Sequence, residues 1–134
     1  MGATLPNVKE LEDIAHELRV TIVEMIHEAG SGHAGGSLSM CEILSVLYYA
    51  ELHVDPKNPR DPKRDRLILS KGHGAPALYA ILARKGFFPE KDLRTLRKLG
   101  SKLQGHPDMK KVPGIDISSG SLGMGISFGI GTAL

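Results

Sequence analysis

Leu67-Ile68-Leu69-Ser70-Lys71-Gly72-His73-Gly74-Ala75-Pro76 runs from an apolar stretch through a glycine-flanked histidine to a proline suited to a first helical turn. A short apolar run bounded by breakers reads as a buried strand, and Pro56, Pro59 and Pro62 exclude regular structure before it. Leu78, Ile81 and Leu82 then share one helical face, with Gly86 as the stop. Strand, glycine turn and helix in that order make a βα unit. At its junction free amides converge and the helix dipole favours an anion, so His73 stands within reach of a diphosphate oxygen. Taken alone, the motif reads equally well as an ordinary βα turn with a solvated histidine.

Working outward, two further histidines sit against glycine, in Gly32-His33 and in Gly105-His106-Pro107. A fourth turn, Ser118-Ser119-Gly120-Ser121-Leu122-Gly123, has no histidine but the same composition. Glycine lets backbone approach a ligand closely, and imidazole exchanges a proton near neutral pH. Each feature alone is commonplace: a capping or surface histidine, a turn that caps a helix. Four such turns between well-marked helices point to one assembled site. His16, His27 and His53 match no such turn and read as helix-face or helix-end residues.

The helices are marked by periodicity and caps. Asn7 followed by Glu10 forms a capping-box pattern. Val8, Leu11, Ala15, Leu18, Ile22, Met25, Ile26 and Ala29 follow at helical spacing, and Gly30 suits the stop. Ser39 with Glu42 offers a second capping box, with Ile43, Leu44, Leu47 and Tyr48 as the apolar face behind it. Pro89 to Leu99 predicts another short helix, with Arg94, Arg97 and Lys98 near its negative end. Ile115-Asp116-Ile117-Ser118 predicts a second short strand or an extended loop. Leu122 to Leu134 is apolar nearly all round, too short to span a bilayer, and predicts a helix buried on several sides. Because the chain stops inside this apolar helix, a fragment of a longer domain is expected.

Composition narrows the class. At 134 residues the chain holds one domain at most, with 41% hydrophobic and 24% charged residues, as in ordinary globular proteins. A formal charge of +2 gives no footprint for nucleic acid, and Arg60-Asp61-Pro62-Lys63-Arg64-Asp65-Arg66 alternates sign as a solvated loop does. Met1 to Pro6 lacks the basic and apolar regions of a signal peptide, and a single cysteine, Cys41, suits a reducing cytoplasm as a small buried hydrophobe. No membrane association is expected. A zinc site of His33, Cys41, His73 and His106 lacks the paired local spacing of zinc motifs.

The wording of the four turns resembles the transketolase family, in particular the N-terminal chain of split transketolases. The matching stretches, in family order, are Gly30-Ser31-Gly32-His33-Ala34-Gly35-Gly36-Ser37-Leu38-Ser39, Leu69-Ser70-Lys71-Gly72-His73-Gly74, Gln104-Gly105-His106-Pro107 and Ser119-Gly120-Ser121-Leu122-Gly123. The resemblance implies a three-layer α/β/α thiamine-diphosphate-binding fold with a parallel sheet, of which residues 1–134 are the N-terminal part of the diphosphate-side domain. It implies that His73 contacts the diphosphate of thiamine diphosphate and that Gly120, Ser121 and Leu122 line the cofactor. His33 and His106 fall in the substrate channel as the catalytic, proton-handling pair. Three positions depart from the family pattern: Ala34 and Ser121 stand where proline is common, and Met124 where glutamine is usual.

The implied reaction moves a two-carbon ketol unit between sugar phosphates, with thiamine diphosphate supplying the reactive carbon. The family's metal, Mg²⁺ or Ca²⁺, is held by a Gly-Asp-Gly motif that is not found here: neither Asp108 nor Asp116 has that context. The pyrimidine-binding domain, with its activating glutamate, would come from a C-terminal transketolase chain, as a homo- or hetero-oligomer. This chain alone is therefore expected to be inactive. Two other readings stay open at this level, a non-enzymatic assembly fragment and another thiamine-diphosphate enzyme such as a deoxyxylulose-phosphate synthase relative.

Overall fold

Asn7 opens helix α1 (Val8–Ala29) with the expected capping box. Its side chain accepts from the Glu10 amide at 3.0 Å, and the Glu10 carboxylate accepts from the Asn7 amide at 2.7 Å. Gly30, at φ +63°, closes the helix in the left-handed region where a side chain would be strained. The structure, a computed structural model, describes residues 5–134, so the part of the signal-peptide reading that falls on Met1–Thr4 lies outside the described residues.

One face of α1, formed by Ile14, Ala15, Leu18, Ile22 and Met25, is buried. It packs on α3 (Cys41–Val46) and α4 (Ala75–Lys85), with the short α2 (Ala34–Leu38) at one end. Periodicity assigns α4 one apolar face; in the structure Ala75 through Ala83 are all buried, making α4 the central element. Each large side chain withdrawn from water there contributes about 1.5–3 kcal/mol, which makes α4 the rigid reference for the loops around it. Pro76 sits in its first turn and Gly86, at φ +92°, ends it. Cys41 is fully buried, as expected, and burial pushes its thiol above the usual range.

The second capping box does not form. Ser39 is the C-cap of α2, with α-region backbone and its amide already bonded to the Gly35 carbonyl, so its hydroxyl is not aimed at free amides. α3 follows almost at once from Met40 with no side-chain cap, and Glu42 pairs instead with Arg19 on α1. Leu44 and Tyr48 are buried as the apolar face requires, but Ile43 is exposed. α3 continues into a π-helical turn, Leu47–Glu51, closed by the Leu52 amide on the Leu47 carbonyl at 2.7 Å.

The strand expected over Leu67–Ser70 is not laddered, Ile115–Ser118 is a loop, the second of its two readings, and among the described residues there is no β-strand. Leu67–Leu69 is without helix, and Leu69 is buried, but its polar groups and those of its neighbours meet loops rather than a second strand. The Leu67 amide donates to the Asp116 carboxylate at 2.9 Å, and the Ser70 carbonyl accepts from Gly123 at 3.1 Å. A strand is a pairing, and Ile115–Ser118 supplies a side chain to this run instead of a ladder. The Asp116 carboxylate is almost fully buried between Arg64 and Arg66, locking the segment before the glycine turn to the segment before Ser119.

The helix expected over Pro89–Leu99 is a pair of 3₁₀ turns, Glu90–Thr95. It ends where Arg97 takes φ +60° and its amide bonds the Leu103 carbonyl at 2.7 Å, so Arg97 and Lys98 lie beyond the helix end. The final helix, α5 (Gly125–Ala133), forms but is not buried on several sides. Of its residues only Gly125 is buried, and Ile126, Phe128 and Ile130 are exposed. Periodicity reports an apolar helix; it does not report whether this stretch of chain brings the cover. No helix among the described residues is long and apolar enough to cross a membrane.

Candidate functional site

The four glycine turns meet at the N-terminal end of α4. Gly72–Gly74 is a single 3₁₀ turn leading into that helix, with the Gly74 amide on the Lys71 carbonyl at 2.8 Å. His73, half-buried, projects from this turn towards the loop before α2. Its ring centroid lies 5.3 Å from that of His33, the planes tilted by 59°.

Glycine at Gly36 makes this approach possible, since a Cβ there would stand 3.0 Å from His73 Cδ2 and 3.2 Å from Nε2. Gly72 is closer still to its neighbours. A Cβ on it would meet the Ser119 carbonyl oxygen at 2.6 Å and His106 Cδ2 at 3.0 Å. Backbone therefore presses on backbone between the second and fourth turns, with His106 alongside. Gly120 also lies beside that imidazole, its Cβ position 3.9 Å from His106 Cδ2.

Ser70 joins the fourth turn to the His73 turn. Its carbonyl takes the Gly123 amide, and its hydroxyl takes the Gly125 amide at 3.0 Å. Lys71 reaches across to the Ser39 hydroxyl at 2.9 Å, tying the His73 turn to the end of α2. Ser118 accepts from the Met109 amide at 3.1 Å, and Gly120, Ser121 and Leu122 are exposed at the rim. The Ser119 hydroxyl is buried without a hydrogen-bond partner among the described residues.

All six residues singled out from the sequence thus lie on turns that touch one another: His33 with His73, and His106 with Gly72 and Gly120. Ser121 and Leu122 follow directly on Gly120. Sequence reading passed over Ser70, Lys71 and Tyr79. The first two lie inside a motif already quoted, but their partners are remote in sequence; Tyr79 reads as one more apolar core position.

The donor set suits an anionic ligand. The His73 imidazole, as an N–H donor, and the positive end of the α4 dipole both favour phosphate oxygens, which accept. A divalent metal is different: among the described residues no cluster of three or more His, Cys, Asp or Glu side chains could hold one. The four-residue zinc site is likewise not formed among them.

A family model described as "Transketolase, thiamine diphosphate binding domain" matches residues 11–134. The 6-deoxy-6-sulfo-D-fructose transketolase subunit SqwG of Clostridium sp. (strain MSTE9) is 51% identical over 125 residues, 93% of this chain and 46% of that protein. An apulose-4-phosphate transketolase subunit from Phocaeicola vulgatus is 42% identical over 95% of this chain and 45% of its own length. The crystal structure of transketolase from Campylobacter jejuni superposes with a TM-score of 0.87 at 38% identity, over 94% of this chain and 20% of that one.

The fold is therefore the α/β thiamine-diphosphate-binding fold, of which the described residues form a largely helical portion. The chain belongs to the transketolase family, in its thiamine-diphosphate-binding domain. It spans under half the length of the two curated relatives named above.

Proposed function

We propose that this chain forms the diphosphate-side wall of a transketolase active site. The observation that carries the reading is the contact of turns from four parts of the sequence around His33, His73 and His106. His73, at the entrance to α4, binds a diphosphate oxygen of thiamine diphosphate. The exposed Gly120-Ser121-Leu122 rim lies along the cofactor. His33 and His106 orient substrate hydroxyls and carry protons at their ring nitrogens. When bound, the cofactor supplies a carbon able to attack a ketose carbonyl and hold the two-carbon unit.

The donors present do not fit Mg²⁺ or Ca²⁺, so the metal's carboxylate ligands come from outside residues 5–134. A second chain bearing the pyrimidine-binding domain completes the site. The exposed apolar side chains of Leu122, Ile126, Phe128 and Ile130 support that assembly, because so many neighbouring apolar groups are normally covered. The buried free thiol of Cys41 supports a reducing, cytoplasmic setting.

The test is ketol transfer by the complete enzyme, with xylulose 5-phosphate as donor and ribose 5-phosphate as acceptor. Two similar proteins are named for 6-deoxy-6-sulfo-D-fructose and apulose 4-phosphate, so both compounds belong among the donors tried. Turnover that requires added thiamine diphosphate and Mg²⁺ is expected with at least one donor. No cofactor-dependent turnover with any of them overturns the reading. In the same preparation, Ile126→Ser with Ile130→Ser should weaken assembly, seen by light scattering as a shift to smaller species.

A further inference from the structure

Tyr79 lies in the middle of α4 and is fully buried. Its hydroxyl stands 2.8 Å from the Gln104 carbonyl oxygen and 3.1 Å from that of His106. These two carbonyls flank Gly105, and they take no other hydrogen bond among the described residues. Burial, with the negative charge of Asp108 second, holds the phenol well above its usual range, so the group is a donor at any physiological pH. One O–H thus bridges both carbonyls of the loop that carries His106.

The same helix carries His73 on its entry turn, so α4 sets the spacing between the two histidines. The Gln104 side chain is tied to the Lys98 and Ser101 carbonyls at 3.3 and 2.7 Å, and Leu103 and Pro107 are buried, but among the described residues only Tyr79 bonds the backbone of His106. The His106 imidazole itself is exposed, so packing alone does not fix it.

We propose that Tyr79 is a positioning residue for His106, anchoring the Gln104-Gly105-His106 loop to α4 so that the imidazole stays beside Gly72 and Gly120. The role of His106 rests on the transketolase reading; the anchoring rests on the hydroxyl and its two carbonyl partners. Tyr79→Phe keeps the ring and removes only the donor, which isolates the effect.

The experiment uses the complete enzyme in four forms: wild type, Tyr79→Phe, His106→Ala and the double variant. Tyr79→Phe should lower kcat/KM for ketol transfer about tenfold while leaving thiamine diphosphate affinity unchanged, since His73 keeps its place. In the His106→Ala background the same change should cost nothing further, because the hydroxyl acts through His106. A purely structural role would give an equal loss in both backgrounds, and that result, or unaltered kinetics, overturns the proposal. Hydrogen exchange over residues 103–107 gives a readout independent of activity and should be faster in Tyr79→Phe. If the wild-type enzyme shows no cofactor-dependent transfer, the functional reading falls. The exchange result then decides the anchoring by itself, with unchanged protection in Tyr79→Phe as the outcome against it.

Discussion

The imidazoles of His33 and His73 face each other across a 5.3 Å gap between ring centroids, one from the loop before α2 and the other from the turn before α4. Gly36 keeps that gap open, since any Cβ there would press on the His73 ring. In the proposed function this pair sets a substrate-side group, His33, beside a cofactor-side group, His73, without bonding them. His33→Ala should therefore lower kcat/KM by about 10- to 100-fold, with thiamine diphosphate affinity nearly intact. Steady-state kinetics and a cofactor titration on one preparation check it. A large loss of cofactor affinity in His33→Ala would mean that the two roles are wrongly divided.

Gly72 is where the turn before α4 meets the turn before α5. An added methyl would meet the Ser119 carbonyl oxygen at 2.6 Å, and backbone cannot swing aside as a side-chain tip can. Gly72→Ala should cost about 2 kcal/mol of stability and displace His106 as well. Gly35→Ala is the control, because nothing lies within 4 Å of a Cβ there and α2 gains a better helix former. It should be neutral or stabilising by roughly 0.5 kcal/mol. Urea denaturation of both variants decides it; equal effects would show that the contact between the turns is not tight.

Asp116 joins the two segments that bear the site. Its carboxylate meets Arg64, Arg66 at 3.2 Å and the Leu67 amide, and the side chains of Asp116 and Arg64 are both almost wholly buried. Asp116→Asn keeps the shape but leaves the Arg64 guanidinium buried without its counter-charge. A loss of about 3 kcal/mol is expected, with exchange protection falling in both segments together. A change below ~0.5 kcal/mol, the range of ordinary surface substitutions, would mean that water already shares the pair.

How much of this was legible in the sequence depends on whether the signal is local. The Asn7 capping box, the Gly30 and Gly86 stops and Pro76 in a first turn involve residues a few positions apart, and each forms as read. The Ser39 cap failed because Ser39 was already the end of α2, a fact set by where the preceding helix stops. The strand at Leu67–Ser70 has the composition of a strand, but a ladder needs a partner that composition does not name. The apolar character of α5 was legible, but its exposure was not, since burial belongs to whatever faces it. For the candidate site, the glycine turns pointed to residues that the fold brings together, and their contacts became visible only in space. Tyr79 gave no signal because a tyrosine in an apolar run differs from a phenylalanine only by the reach of its hydroxyl.

The central claim is that the turn entering α4 holds a diphosphate, and calorimetric titration of thiamine diphosphate with Mg²⁺ into the complete enzyme tests it most directly. Removing one charge-assisted contact is worth about 1.5–3 kcal/mol, so His73→Ala should weaken binding by roughly 10- to 150-fold while His106→Ala leaves it within a few-fold of wild type. Equal affinity in wild type and His73→Ala would contradict the account.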